Sequence, residues 1–211
     1  MKTDQLVAAL VADRAADRRP LARSLGLALV VGGVLSLVVF FLELGVRADI
    51  GPALATWRFD LKVAMVLLGL VLAFGACLDC ARPDRSRHPL RRLLPLLAVL
   101  ATAVALELAL VPAPSWQMRL VGSNSMICLP MVPILSLAPL GAALLILRRG
   151  APASPVLAGA AAGLLAAFSG ASLYAFHCFD DSPLFVATWY TLAALPVVAI
   201  GALAGHRLLR W

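Results

Sequence analysis

Six long apolar runs divide the 211-residue chain, and its charged residues cluster in the stretches between them. An α-helix needs about 20 predominantly apolar residues to cross a bilayer, and each run reaches that length. The chain is 62% hydrophobic, with a mean hydropathy of +0.95, well above an ordinary soluble domain. The sequence therefore predicts an all-α, polytopic membrane protein with six transmembrane helices. The predicted spans are Leu21–Leu44, Arg58–Ala81, Leu93–Val111, Cys128–Leu147, Pro155–Phe176 and Leu184–Ala204.

The distribution of Lys and Arg predicts the orientation of these spans. An even number of spans places both termini on one side of the membrane, and that side carries 14 of the 18 basic residues. Because positive charge is retained in cytoplasmic segments, we expect both termini to be cytoplasmic. The net charge of +7 then follows from topology, and no direct nucleic-acid partner is predicted. The four basic residues on the opposite side are Arg47, Arg58, Lys62 and Arg119.

The polar N-terminus forms a separate cytoplasmic segment, residues 1–23, ahead of a transmembrane domain, residues 24–211. Four apolar side chains recur in it at helical spacing, and Thr3 or Asp4 is a suitable N-cap. Such a short amphipathic helix either lies on the bilayer surface or orders on a protein partner. Its apolar face consists of Leu6, Val7, Leu10 and Val11.

Two cysteines occupy equivalent positions in the hairpin predicted for the fourth and fifth spans. Cys128 begins one span, Cys178 follows the other, and the turn between them is centred near residue 153. We therefore expect the two thiols to lie level, on the periplasmic face opposite the arginines. There they form a disulfide, bind a soft metal ion, or serve only as small apolar side chains at helix ends. His177, Asp180 and Asp181 are candidate additional metal ligands.

Other polar residues in or near the spans give weaker signals. Cys77 and Cys80 share a helix face at the arginine-rich end of the second span, but a zinc site needs two further ligands. Reduced, structural thiols are the favoured interpretation there. Glu107 lies within the third span. A carboxylate in a span indicates a function by default, although the free-energy cost of placing it there is lower near the membrane interface. Asp60 and Lys62 favour an ion pair at the start of the second span.

Two motifs with small residues four positions apart predict close contact between helices. They are Gly159–Gly163 in the fifth span and Gly201–Gly205 in the sixth. Small side chains let helices approach where lipid provides no hydrophobic drive for association. We expect these contacts to form within one chain.

A set of short motifs, each weak alone, is specific in combination and extends over essentially the whole chain. The motifs are Met1–Leu6, Lys62, Ala81–Pro83, Cys128, Arg148–Pro152, Pro155, Leu157–Gly159, Tyr174–Cys178, Trp189–Tyr190 and Arg207–Trp211. By these motifs the chain resembles the NrsF family, the negative regulators of sigma F.

The resemblance implies a six-span anti-sigma factor of the bacterial inner membrane, without enzymatic activity or a resident cofactor. Its partner is then an extracytoplasmic-function (ECF) sigma factor held at the cytoplasmic face and released on heavy-metal or oxidative stress. The resemblance assigns the sensing role to Cys128 and Cys178, with a transient heavy-metal ion as one form of the signal. It assigns no role to Cys77 or Cys80. The residues expected to bind the sigma factor are Asp4, Leu6, Val7, Leu10 and Val11.

Two functions of other classes remain as alternatives. A membrane thiol-disulfide oxidoreductase would have a periplasmic C-x-x-C and a quinone site, whereas the C-x-x-C of Cys77 and Cys80 is predicted to be cytoplasmic. A small metal or solute transporter would have polar or broken spans near the middle of the membrane. The fourth to sixth spans are instead mostly aliphatic and small.

Overall fold

The computed structural model of the protein describes residues 3, 5, 21–82 and 88–210. The residues predicted to bind a sigma factor, Asp4, Leu6, Val7, Leu10 and Val11, lie outside the described residues. The division of the chain after residue 23 stays a prediction. The first described long helix begins at Leu21, close to that boundary.

Six long helices, α1 to α6, make up most of the described chain. Each is long and apolar enough to cross a membrane, which confirms the predicted number of spans. The side of the membrane on which the termini lie stays a prediction. The third helix starts with a 3-10 turn at Pro89–Leu93, and the sixth contains a π turn at Val186–Tyr190. The helices are α1 Leu21–Glu43, α2 Trp57–Cys80, α3 Pro89–Leu110, α4 Ser125–Leu147, α5 Pro155–Tyr174 and α6 Pro183–Leu208.

The connecting segments gather at two opposite ends of the helix bundle. One end holds residues 44–56, 111–124 and 175–182, and we call it the cysteine end. The other holds residues 81–82, 88 and 148–154, and we call it the arginine end. At the arginine end the Ala151 amide donates to the Ala81 carbonyl at 3.2 Å, which joins its two connecting segments.

Helices α5 and α6 are in backbone contact through their small residues. A Cβ added to Gly159 would lie 2.2 Å from the carbonyl oxygen of Gly201, and one added to Gly205 would lie 2.5 Å from that of Pro155. Gly163 approaches the backbone of Val197 in the same way. The two small-residue motifs therefore pack against each other within the chain, as predicted.

Helices α1 and α4 are joined by a hydrogen bond that compensates for a proline. Pro139 lies inside α4 and has no N–H, so the carbonyl of Leu135 lacks its usual intrahelical donor. The hydroxyl of Ser36 in α1 donates to this carbonyl at 2.6 Å. Gly32 permits the approach, because a Cβ there would lie 2.8 Å from Pro139 Cα. The same hydroxyl also reaches the Gly32 carbonyl of its own helix, at 3.1 Å.

Helix α3 is packed less tightly than the others. Only 17% of its apolar 18-residue stretch is buried inside the protein, against 56% of the corresponding stretch of α5. Ion pairs hold it at both ends: Arg92 pairs with Asp79 of α2, and Glu107 pairs with Arg58 and Arg119. Its middle is therefore less constrained than its two ends.

Candidate functional site

Cys128 and Cys178 lie in one buried apolar cluster at the cysteine end. Cys128 is in the first turn of α4, and Cys178 lies in the segment that follows α5. Both are free thiols with no exposed surface. This arrangement agrees with the level placement expected from the hairpin. The sensing role of the pair stays a prediction.

A short path of hydrogen bonds connects the backbones of the two cysteines. The Asn124 carbonyl accepts from the Cys128 amide at 2.8 Å and from the Tyr174 hydroxyl at 3.2 Å. The Tyr174 carbonyl in turn accepts from the Cys178 amide at 3.0 Å. Tyr174 is fully buried, so this path is shielded from competing solvent. A displacement of either cysteine backbone strains bonds that hold the other.

Three aromatic side chains belong to the same buried cluster as the thiol pair. The rings of Tyr174 and Tyr190 are 5.9 Å apart, and the ring of Phe185 lies 6.3 Å from that of Tyr190. All three side chains are buried. The sequence predicted thiols facing outward, and the structure covers them. A dissolved ion or oxidant therefore reaches the sulfurs only after the side chains that bury them move.

Burial also makes the Cys178 thiol less reactive. It raises the pKa of Cys178 to about 11, and the nearby positive charge of Lys62 offsets only part of this rise. The Sγ atom lies 3.6 Å from the carbonyl oxygen of Asp180, to which its S–H donates. Because the thiolate is the nucleophile and the metal ligand, the protonated form present at neutral pH is the less reactive one.

A buried lysine fixes the segment that carries Cys178. Lys62, in α2, has a side chain with no exposed surface, and its ammonium group pairs with the carboxylate of Asp181. It also donates to the Cys178 carbonyl at 2.8 Å, and it lies over the ring of Phe59. The sequence suggested Asp60 as its partner, but Asp60 is exposed. A lysine buried in a span needs an ionic partner, and the segment after α5 provides a closer one.

Arg47 binds the same segment from the connection between α1 and α2. It donates at 3.0 Å to the Cys178 carbonyl and to Asp181, and it makes a two-pronged pair with Asp49. The hydrogen bonds from this guanidinium hold the pKa of Asp49 below its usual range and raise that of Arg47. The guanidinium also stacks on Phe179, 4.9 Å from the ring centre. Two cations thus converge on one carbonyl, that of Cys178.

The three other candidate ligands already have partners in the structure. The Nδ1 of His177 donates to the Gly45 carbonyl at 3.0 Å, and Asp181 is paired as described above. Asp180 accepts from the amides of Ser123 and Asn124 at 2.9 and 2.8 Å. Among the described residues, no group of three or more His, Cys, Asp and Glu side chains is arranged to hold a metal ion. A metal site that includes these residues stays a prediction.

Glu107 forms a second buried charge cluster at the cysteine end. It pairs with Arg58 at 3.1 Å and with Arg119 at 2.8 Å, and the Ser182 hydroxyl donates to it at 3.4 Å. Arg58 also stacks on Trp57. These contacts explain how α3 tolerates a carboxylate. They also join α3 to the same segment, residues 175–182, that Arg47 and Lys62 hold.

At the arginine end, Cys77 and Cys80 are free, buried thiols in the last turns of α2. They belong to the apolar cluster at that end, together with Ala81 and Leu147. Their position is consistent with the structural role favoured by the sequence.

Sequence reasoning did not find the roles of Lys62, Asn124 and Tyr174 around the cysteine pair. A lysine inside an apolar run was a usable signal, because such a charge requires a buried partner. The bond between the Tyr174 hydroxyl and the Asn124 carbonyl joins residues far apart in the chain, and no local pattern indicates it.

Comparison with known proteins gives the family. A family model described as "Negative regulator of sigma F", NrsF, matches residues 10–211. The anti-sigma-F factor NrsF of Caulobacter vibrioides is 36% identical over 218 residues, and the match covers 100% of both chains. The probable anti-sigma-F factor NrsF of Azospira oryzae is 32% identical over 214 residues, again with 100% of both chains covered. No solved structure matches.

Proposed function

The chain belongs to the NrsF family of negative regulators of sigma F, which are regulatory proteins and not enzymes, and we propose that it is an anti-sigma factor gated by Cys128 and Cys178. In this proposal it sequesters an ECF sigma factor at the cytoplasmic face of the bacterial inner membrane. Heavy-metal or oxidative stress acts on the two cysteines from the periplasm and releases the sigma factor.

One observation carries the sensing part of the proposal: two free, buried thiols lie together at the junction of three connecting segments. Oxidation to a disulfide removes two electrons and two protons from the pair and shortens the distance between the sulfurs. Binding of a soft metal ion by both thiolates releases two protons and likewise fixes that distance. Either event acts on backbones that Asn124 and Tyr174 already connect.

The signal then has a direct mechanical route to the cytoplasmic face. Cys128 begins α4, and α4 packs along α1 through the contact of Ser36 with Leu135. The proposed docking segment, residues 1–23, leads into α1 at the opposite end of the bundle. A shift of α4 relative to α1 therefore moves the base of the docking segment. This route requires two discrete positions of α4, with the signal favouring one of them.

Sensing by the pair is tested by replacing each cysteine with serine and measuring sigma-dependent transcription in cells exposed to cadmium, chromate or a thiol oxidant. We expect Cys128→Ser, Cys178→Ser and the double variant to lose induction equally, because the pair acts as a unit. The matched control is the double variant of Cys77 and Cys80, which should keep normal induction. Unchanged dose-dependence in the Cys128/Cys178 double variant would show that the sensor lies elsewhere.

Docking is tested separately by deleting residues 1–18. The protein should still insert, the sigma factor should be free, and target transcription should be constitutive. Repression that survives the deletion would place the contact in residues 82–92 or at the C-terminus. Co-purification of the sigma factor with the full chain, but not with the deletion variant, distinguishes lost docking from lost expression.

The orientation is tested by reporter fusions. Fusions after Gly51, Gln117 and Ser182 should report the periplasm, and fusions after Ala151 and Arg210 should report the cytoplasm. A reversed result would place the cysteine end in the cytoplasm and remove the basis for periplasmic sensing.

A further inference from the structure

An apolar cavity of about 210 Å³ separates α3 from the rest of the bundle. One wall of the cavity is formed by α3, through Leu93, Leu97 and Leu100. The other walls are formed by α2, α5 and α6, which contribute Met65, Phe168 and Tyr190 in that order. The cavity lies along the first half of α3, which has the smallest buried share of the six long helices described.

The chemistry of the cavity favours a hydrocarbon occupant. An apolar cavity does not retain water, because a buried water needs polar partners. If the cavity stays empty, its lining loses dispersion contacts on one side. Within the span of a membrane helix, the hydrocarbon available in excess is the acyl chain of a lipid.

Basic residues lie next to the part of the cavity that is nearest the arginine end. Arg91 and Arg92 directly precede Leu93, which lines the cavity, in the 3-10 turn that begins α3. Arg92 pairs with Asp79. Arg91 is exposed and pairs with no carboxylate in the part of the chain that the structure describes. A guanidinium binds a phosphate well, and basic sites at this depth attract anionic lipid headgroups.

We propose that the cavity between α3 and the bundle binds one anionic phospholipid, with an acyl chain along Leu93, Leu97 and Leu100 and the phosphate on Arg91. The headgroup end of the site lies at the arginine end, away from the cysteine pair, and Tyr190 belongs both to the cavity lining and to the cluster around the thiols. The lipid fills the cavity that lies between α3 and the helices α2, α5 and α6. An electrically neutral lipid with the same chains lacks the headgroup attraction and binds more weakly.

The test is native mass spectrometry of the full-length protein in detergent, titrated with phosphatidylglycerol or with phosphatidylcholine of identical chains. We expect one phosphatidylglycerol to be retained in preference to phosphatidylcholine. Arg91→Gln should weaken this binding about fivefold, the contribution of one arginine near a lipid headgroup. The matched control is Arg148→Gln, an exposed arginine at the same end, which should bind normally.

The acyl-chain part of the site is tested by Ala194→Leu, which fills the cavity from α6. This variant should lose the retained lipid, whereas Ala199→Leu, on the exposed face of α6, should keep it. Because Arg91 is exposed, its variant remains informative if Ala194→Leu fails to fold. Equal retention of the two lipids, unaffected by Arg91→Gln, would overturn the proposal. So would a quinone or a second copy of the chain found in place of the phospholipid.

Discussion

The ammonium group of Lys62 pairs with the carboxylate of Asp181 and so joins α2 to the segment between α5 and α6. The lysine side chain has no exposed surface. The same ammonium donates to the carbonyl of Cys178. Together with Arg47, which donates to the same carbonyl, Lys62 therefore helps to fix where the second cysteine of the pair lies. Removing Asp181 leaves Lys62 as an uncompensated buried charge, whereas removing Lys62 leaves Asp181 paired with Arg47.

We expect Asp181→Asn to destabilise the protein by about 3 kcal/mol, because it leaves the buried ammonium of Lys62 without a carboxylate. Lys62→Met should cost less, because Asp181 keeps its pair with Arg47. In the double variant the losses should not add, since both substitutions remove the same interaction. Unfolding of the purified protein in mixed detergent micelles measures all three variants. Additive losses would show that the pair is not coupled.

The thiol of Cys178 should react slowly with alkylating reagents in the folded protein at neutral pH. Burial raises its pKa from 9.0 to about 11, so the neutral thiol is the form that folding favours. This shift lowers the thiolate fraction about a hundredfold, and reactivity should rise only as the pH approaches 11. Alkylation of a variant with Cys178 as its sole cysteine, at several pH values with and without denaturant, measures this. Equal rates in the folded and denatured protein would contradict it.

Gly201→Ala should destabilise the contact between α5 and α6 by about 1–3 kcal/mol. A Cβ at this position would lie 2.4 Å from the carbonyl oxygen of Gly159, so the helices must move apart. The matched control is Gly33→Ala in α1, where the added carbon meets nothing within 4 Å. Thermal aggregation temperatures of the two variants should differ, with the control at or above the parent protein.

Ser36→Ala should cost about 1 kcal/mol, the usual contribution of a hydrogen bond between membrane helices. The substitution leaves the Leu135 carbonyl without a donor, because Pro139 cannot supply one. Ser172→Ala is the control, since among the described residues its hydroxyl bonds to Phe168 of its own helix and to no other helix. Equal stability of the two variants would show that the bond between helices contributes nothing of its own.

The helices were predictable because the pattern that indicates a span, a long apolar run, is local and recurs six times in the chain. A span needs a long apolar run, and the predicted limits of α4 and α5 differ from the observed ones by only a few residues. The proximity of Cys128 and Cys178 was predictable for a similar reason. A hairpin with a short turn places residues equidistant from that turn at the same level.

The contacts that organise the cysteine end were not predictable from local pattern. Asp60 lies two residues from Lys62 in sequence, yet the lysine pairs with Asp181. Side-chain direction on a helix decides this choice, because neighbours two positions apart do not face each other. The burial of both thiols depends in the same way on where Tyr190 packs, and the packing of α6 against α5 determines that position.

The two partners of the Ser36 hydroxyl bear on the order in which the bundle assembles. α1 is synthesised before α4, so it enters the bilayer while Leu135 has not yet been made. Within α1 alone the Gly32 carbonyl, 3.1 Å away, is a partner for the hydroxyl. With α4 in place the hydroxyl also contacts the Leu135 carbonyl, at 2.6 Å. This side chain therefore has a hydrogen-bond partner both before and after the neighbouring helix is made.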